Sequence, residues 1–353
     1  MKEMMGSSAT GNLKEAIKGI TNPSFLILIA SDKERFPTIV KDLEEAFPNI
    51  PSIGCVGQSY LGTTVCENGI TVIGMNDNIR VSTGILSHVS TMPIKDIKKF
   101  KENLDAVGGD ASHTVCIDLC SSNDECVIAS MQSVLSQKGI SLTGGTVWDG
   151  LVSCNGAVYE DSTAYAFIHN LSGKVKVYKE NLYVPTDKVH MVTKANPASN
   201  EICELDGQPA ETVYTTDLGI TPDKIDEQTF TNPLGRCLGD EIYIVSIKER
   251  LKNKTFSCYR KTYPKDILCI LDVNDYDSIV KNTVHNIKQD FPHASGIFSI
   301  NCIFRYLFFQ RENYMQNYLE LMQSAAPHAG LIGLGEHYQS QHTNQTMSCV
   351  VFE

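Results

Sequence analysis

Two charged residues stand at the ends of apolar runs, where chemistry is most easily positioned. Arg305 closes residues 299–305 (SINCIFR), just past a stretch that reads as a buried strand. A guanidinium is costly to bury without an anion, and its planar fork matches a carboxylate through two parallel hydrogen bonds. It therefore offers anion capture, although an internal ion pair with Asp or Glu would satisfy it equally well. Glu336 ends GLIGLGE in a similar way and offers a seat for an ammonium group or for an arginine. Together they suit an amino-acid-like ligand, or each other.

Other constellations carry less chemistry. Cys302 and Cys55 lie near the ends of expected strands, but a thiol nucleophile needs a neighbouring base and an oxyanion site. Inert core thiols are expected there. Cys116, Cys120 and Cys126 follow C-x3-C-x5-C, which matches neither paired zinc signals nor iron–sulfur spacing. His337 and His342 lie beside Glu336, but not in the H-E-x-x-H order that would place two imidazoles one helical turn apart. Within one extended segment their odd offset sends the rings to opposite faces. A metal held by this pair is not expected, while either ring alone remains free to serve as an axial or ligand-binding group. The glycines at 330, 333 and 335 run in the wrong order for a dinucleotide fingerprint, and Gly144-Gly145 lacks the Lys-Ser/Thr of a phosphate-binding loop. Nucleoside triphosphate hydrolysis is excluded.

Hydrophobic periodicity supplies the elements that must position these residues. Residues 25–30 (FLILIA) form a short continuous apolar run, as in a strand buried on both faces. Phe36, Ile39, Val40, Leu43 and Phe47 then share one helical face, and Pro48 stops that helix. A strand begins at 53–55. A second strand–helix–strand unit runs through 267–271, 275–291 and 296–302, again with a Phe-Pro stop. Looser copies run through 114–119, 125–137 and 140–145, and through 312–325 and 331–335. The paired copies suggest internal duplication. Residues 223–236 read as a long loop or arm. The pattern predicts an α/β (α+β) fold of two lobes, each with mixed, largely antiparallel sheets flanked by helices. A polar lead-in covers 1–22, and the lobes cover 23–190 and 191–353.

The 353 residues are 42% hydrophobic and 20% charged, a globular composition. With a formal net charge of -11, the chain repels phosphate backbones and anionic lipid, so nucleic acid is not an expected partner. No run approaches the ~18 apolar residues of a membrane span, and no secretory signal opens the chain. The 12 cysteines are then expected as reduced thiols in a cytoplasm.

Several segments together resemble the FIST sensory family, which has an N-terminal and a C-terminal FIST domain. In the first lobe they are IGC at 53–55, Gly144-Gly145 and NGAVYEDSTAYAFI at 155–168. In the second they are ELDGQPAETVY at 204–214, SINCIFR, and GEHYQSQHTNQTM at 335–347. The family's first-lobe strand end usually continues into small residues and an acidic group, where this chain has Val56, Gly57, Gln58 and Ser59.

The resemblance implies a sensor that binds a small ligand, with amino acids proposed for the family and haem, for nitric oxide sensing, described for some members. It also implies site residues on the matching segments. These are Gly54, Asp206 as a loop-ordering or ligand carboxylate, Tyr214, Cys302 and Arg305, Gly335 and Glu336, and Asn344 as an amide donor and acceptor.

The resulting reading is a cytoplasmic sensory protein for an amino-acid-like or other small charged ligand. No kinase, cyclase or methyl-accepting segment is evident, so signalling is expected to pass through a separate partner protein. The alternatives are a haem-binding gas sensor and a Cys- or carboxylate-dependent enzyme. No complete catalytic motif is found, and no cofactor other than haem is expected. If Arg305 is the anion clamp, Arg305→Ala should keep the apo fold yet lose thermal stabilisation by amino acids. Unchanged stabilisation in a thermal-shift assay would remove it from the site.

Overall fold

Phe25–Ala30, Thr114–Cys120 and Gly296–Cys302 are each buried along their whole length. A strand buried on both faces needs a layer on each side, and each of these is the heart of a six-stranded sheet of one design. In the first sheet Phe25–Ala30 runs parallel to Ser52–Val56, with helix Phe36–Ala46 between them in sequence. In the second, Thr114–Cys120 pairs with Ser141–Thr146 around helix Asp124–Leu135. In the third, Gly296–Cys302 pairs with His328–Gly333 around helices Ile303–Arg311 and Met315–Gln323. An antiparallel strand flanks each heart strand: Ile70–Asn76, Ser162–Asn170 and Thr346–Phe352. Beyond these lie Lys2–Ser8, Ile79–Ser87 and Val175–Asn181. The structure is a computed structural model and describes residues 2–239 and 241–353.

The other edge of each parallel pair is closed by a hairpin from a different unit. The hairpin Gln58–Leu61/Thr64–Cys66 follows the first parallel pair in sequence but joins the third sheet, with Gln58 opposite Ile332. The hairpin Leu151–Cys154/Ala157–Glu160 follows the second pair and joins the first sheet. The hairpin Gly335–Tyr338/Gln341–Thr343 follows the third pair and joins the second sheet. The exchange is cyclic, so none of the three sheets is complete without another unit.

Alternation within the strands explains the packing. Ile27, Ile29, Ile117, Leu119, Phe298 and Ile300 point inward to one core shared by all three sheets. The outward faces carry separate helix layers, such as Leu26, Leu28 and Ala30 against Phe36, Ile39 and Val40. A fourth sheet is built mainly between Tyr183–Asn196 and Ile267–Val273, ahead of helix Tyr276–Asp290, and has its own core around Tyr214 and Phe256. The 190/191 division falls inside Tyr183–Asn196.

Three expectations change. The 1–22 lead-in is part of the fold: Lys2–Ser8 is the edge strand of the first sheet, and Leu13 and Ala16 of helix Leu13–Ala16 join its outer core. The strand–helix–strand pattern over 267–302 is not a paired unit: Ile267–Val273 belongs to the fourth sheet and Gly296–Cys302 to the third. The repetition is threefold, and both looser copies fall inside it. Periodicity reports a helix between two strands, but backbone pairing decides which strands are neighbours. Residues 223–236 are not only loop, since helix Ile225–Gln228 and the start of strand Leu234–Leu238 lie there. Among the described residues, no helix is long and apolar enough to cross a membrane.

Arg305 belongs to the architecture. It is fully buried, donates to the Asn301 amide oxygen and to Glu180, and stacks 4.4 Å and 4.7 Å from the ring centroids of Phe309 and Tyr318. Glu180 lies on edge strand Val175–Asn181, so the ion pair fastens that strand to helix Ile303–Arg311. This corrects the anion-clamp expectation, because the internal carboxylate that could satisfy Arg305 is present. Arg305→Ala should leave Glu180 buried and uncompensated and lower stability by ~3–5 kcal/mol, read as a fall in the urea midpoint. Arg305→Met with Glu180→Leu should recover most of that loss. Undiminished stability in Arg305→Ala would show that the pair does not hold the strand.

Candidate functional site

Asp118, Gly144, His337 and His342 form one row across four strands of the second sheet. Asp118 is opposite Gly144, Gly144 opposite His337, and His337 opposite His342. Asp118 and His337 reach over the glycine, and Nδ1 of the ring meets Asp118 Oδ2 at 2.8 Å. A Cβ at residue 144 would lie 1.9 Å from Asp118 Oδ1, so the contact depends on glycine there. The other ring nitrogen meets Asp124 Oδ1 at 2.9 Å, and Thr146 donates to the same oxygen at 2.6 Å. Asp124 opens helix Asp124–Leu135, where the partial positive charge of the helix N-terminus favours a carboxylate.

The corresponding outward-facing rows in the first and third sheets are Leu28–Gly54–Ser153 and Ser299–Gly330–Tyr60. The repeated design therefore needs neither an acid nor an imidazole at this position. The buried Asp–His pair is an addition that the fold carries in one sheet of three. Buried ionisable groups are costly, so such an addition marks a functional candidate.

Both imidazole nitrogens face carboxylates, and a ring that donates from both is an imidazolium. Burial opposes its charge, but Asp118 and Asp124 outweigh burial and hold His337 up at about 10. Burial also works against the charge on Asp124, but His342 and His337 pull it well below the usual carboxylate range. Burial pushes Asp118 up. The proton sits on His337, because Asp124 supplies a second negative charge that Asp118 alone does not. Burial pushes His342 down to about 4, and its Nε2 is enclosed without a hydrogen-bond partner. Ligand atoms of Asp118, Cys120 and His337 lie within 4.8 Å of one another, so this cluster could hold a metal ion. Both His337 nitrogens are engaged by carboxylates as it stands.

Asp124 and His342 also line a groove of about 180 Å³ between the second and fourth sheets. Its lining includes Asp124 and Glu125, together with Tyr259, Arg260 and Lys261. Arg260 is largely buried, donates to the His342 carbonyl and reaches Glu125 Oε1 at 3.2 Å. Tyr259 also borders a cavity of about 20 Å³ lined by Cys302, Leu334 and Asn344, which is room for about one water. The Asn344 amide oxygen is buried there without a partner. A larger groove of about 920 Å³ lies between helices Leu13–Ala16 and Phe36–Ala46. Its size exceeds that of the polar groove, but the buried acids and histidines converge on the latter.

The residues singled out in the sequence are dispersed. Cys302 and Asn344 share the small cavity, and Glu336 lies against Cys302. Glu336 accepts from the Thr346 amide at 3.1 Å and hydroxyl at 2.7 Å, and burial pushes it up to about 8. Burial and then Glu336 push the Cys302 thiol well up. Gly335 leaves room for His342, whose Nε2 would lie 2.4 Å from a Cβ there. Asp206 sits in a turn of the fourth sheet and accepts from the Met191 amide at 2.8 Å and meets His190 at 2.7 Å, a loop-ordering position. Tyr214 donates to the Asn232 carbonyl at 2.8 Å within the fourth sheet's core. Gly54 packs against Leu28 and Ser153 in the first sheet.

Asp118, Asp124, Glu125, Arg260 and Thr146 were not picked out, and no short motif joins them. The expectation for His337 and His342 assumes the wrong geometry. They lie not on one extended segment but opposite each other in a hairpin with a two-residue turn, so the rings share a face with centroids 5.8 Å apart. The signal for this was present in HYQSQH, where two alternating arms flank a turn at Gln339, which has φ 52°.

A model of the FIST N domain matches residues 24–208, just over half of the chain. The chain belongs to the FIST family. FIST domains are a sensory, small-ligand-binding family. A search of curated proteins finds no match. Among solved structures, a cyanuric acid hydrolase from A. caulinodans is similar at 11% identity, covering 48% of this chain and 72% of its own, with a TM-score of 0.26. That likeness is too slight to carry an argument.

The FIST protein's buried row has a pH signature. Between the ordinary imidazole value of 6.5 and about 10, the folded chain keeps a proton on His337 that the unfolded chain releases. The resulting stabilisation is complete below the lower value and is lost as pH rises through the upper one. Urea unfolding of wild type and His337→Gln should show a stability difference that shrinks as pH rises across this window. A pH-independent difference would argue against an imidazolium.

Proposed function

We propose that this FIST protein is a non-catalytic sensor that binds a small zwitterion, amino-acid-like in its charges, in the groove between the second and fourth sheets. The observation that carries the reading is a groove of about 180 Å³ whose lining holds both signs of charge, with Asp124 and Glu125 from the second sheet's helix and Arg260 and Lys261 from the segment after the fourth sheet's strand Phe256–Cys258. Arg260 and Lys261 would receive a carboxylate, and Asp124 and Glu125 an ammonium. Tyr259 would cover the ligand's apolar part, with Asn344 and the small cavity holding a water or the end of a short side chain.

The groove is smaller than a drug-sized pocket, and its lining of polar and charged side chains suits a small charged molecule. The anion-binding role given to Arg305 passes to Arg260, which differs by bordering a cavity. The non-catalytic reading draws support from Cys302, whose thiol is raised and lies against an acid rather than a base. A cytoplasmic location and a separate protein as signalling output complete the proposal, in keeping with the family's sensory character.

The test is a thermal-shift series with free amino acids, their amides and their N-acetyl derivatives. A free amino acid should stabilise the wild type, and blocking either charged end should remove the effect. Arg260→Met should weaken binding by ~10–100-fold, the equivalent of a charge-assisted hydrogen bond worth ~1.5–3 kcal/mol. Equal binding of the amide would show that Arg260 does not read a carboxylate.

A further inference from the structure

Cys237 and Cys269 stand apart from the other thiols. Cys237 lies on strand Leu234–Leu238 and is exposed, whereas Cys269 lies on the neighbouring antiparallel strand Ile267–Val273 and is buried. Gly235 is opposite Cys269, so Cys237, two residues on, points from the same face. The two sulfurs are 2.9 Å apart. Among the described residues no other pair of thiols is in hydrogen-bond contact. A cavity of about 130 Å³ lies beside both, walled by Pro185, Val189 and Ile267, and gives a small reagent access.

We propose that Cys237 and Cys269 form a reversible dithiol–disulfide site that reacts with low-molecular-weight disulfides of the glutathione type. The Cys237 thiolate attacks one sulfur of the small disulfide and displaces the other half as a thiolate, giving a mixed disulfide. The Cys269 thiol attacks the Cys237 sulfur and gives its proton to the second half, which leaves as a thiol, while the first half takes up the proton that Cys237 released to solvent. The protein pair loses two electrons and two protons, and the small disulfide is reduced to two thiols. Exposure makes Cys237 the attacking sulfur. Cys269 suits the resolving step: burial, then Cys237, push its thiol up to about 12, so it keeps its proton until the mixed disulfide is beside it. Bond formation needs the sulfurs to close by about 0.9 Å to the ~2.05 Å of a disulfide. The bond would tie two strands of the fourth sheet together. Next to Cys237, Arg236 ion-pairs with Asp266 and donates to the Lys261 carbonyl at 3.4 Å, so the site adjoins the segment lining the groove.

The test uses the native full chain in buffers of stepped glutathione to glutathione-disulfide ratio, followed by alkylation, trypsin and mass spectrometry. Cleavage after Arg236, Lys248, Lys265 and Lys281 places each cysteine in a peptide with no other cysteine. A disulfide-linked pair of 237–248 and 266–281 should appear and revert with dithiothreitol. Cys269→Ser should stop at a mixed disulfide on Cys237, and Cys126→Ser, which changes an exposed cysteine elsewhere, should link as the wild type does. The proposal is overturned if wild-type Cys237 halts at the mixed disulfide. It is equally overturned if the pair stays reduced in every buffer, or if the link forms only in urea.

Discussion

The open edge of each parallel strand pair is the constraint on which the rest depends. Backbone N–H and C=O groups there must be paired, and this chain pairs them with a hairpin from another unit. Closing the edge of Ser141–Thr146 brings Gly335–Thr343 across from the third unit and sets His337 over Gly144. Side chains alternate along a strand, so a slip of one residue would turn His337 to the opposite face and leave Asp118 alone in the interior. The same pairing that completes the second sheet thus assembles its buried row and delivers His342 to the groove.

Two buried cations in this FIST protein show how position separates structure from function. Arg305 has no solvent exposure, faces Glu180 and Asn301, and is sandwiched by aromatic rings. Its remaining Nε is enclosed, so a ligand has no approach to it. Arg260 is held by Glu125 and a carbonyl, but it stays on the wall of a cavity that acids also line. The residue type is the same and both pair with a carboxylate; access decides the role. The buried acid and histidine in the second sheet are informative for a related reason, since the matching rows of the other sheets are built from Leu, Gly, Ser and Tyr.

Much of the architecture was legible from residue pattern. FLILIA reads as a doubly buried strand because every position is apolar, and the helix over Phe36–Ala46 follows from its spacing and the proline after it. The site was less legible, because its members come from separate stretches. Asp118 looks like one polar residue in an apolar strand, Asp124 like an ordinary first-turn acid, and Arg260 like a charge in a loop. The histidine pair was visible, but a period argument for one strand fails when the chain reverses between the two residues. Arg305 drew attention for a sound reason, since a buried guanidinium needs an anion. Pattern could not say that the anion stands 125 positions away, on the edge strand of the third sheet.

The sequence by itself determined which segments are strands and helices, the composition that disfavours phosphate-backbone partners, and the short segments that mark the FIST family. These are local or additive properties, carried by periodicity, charge and neighbouring residues. Only the tertiary structure decided that the units are three, that they trade hairpins, and that Asp118, Asp124, His337, His342 and Arg260 converge. Such convergence is a matter of register and strand order between distant segments, set by the need to pair every buried backbone group, and no local pattern encodes it.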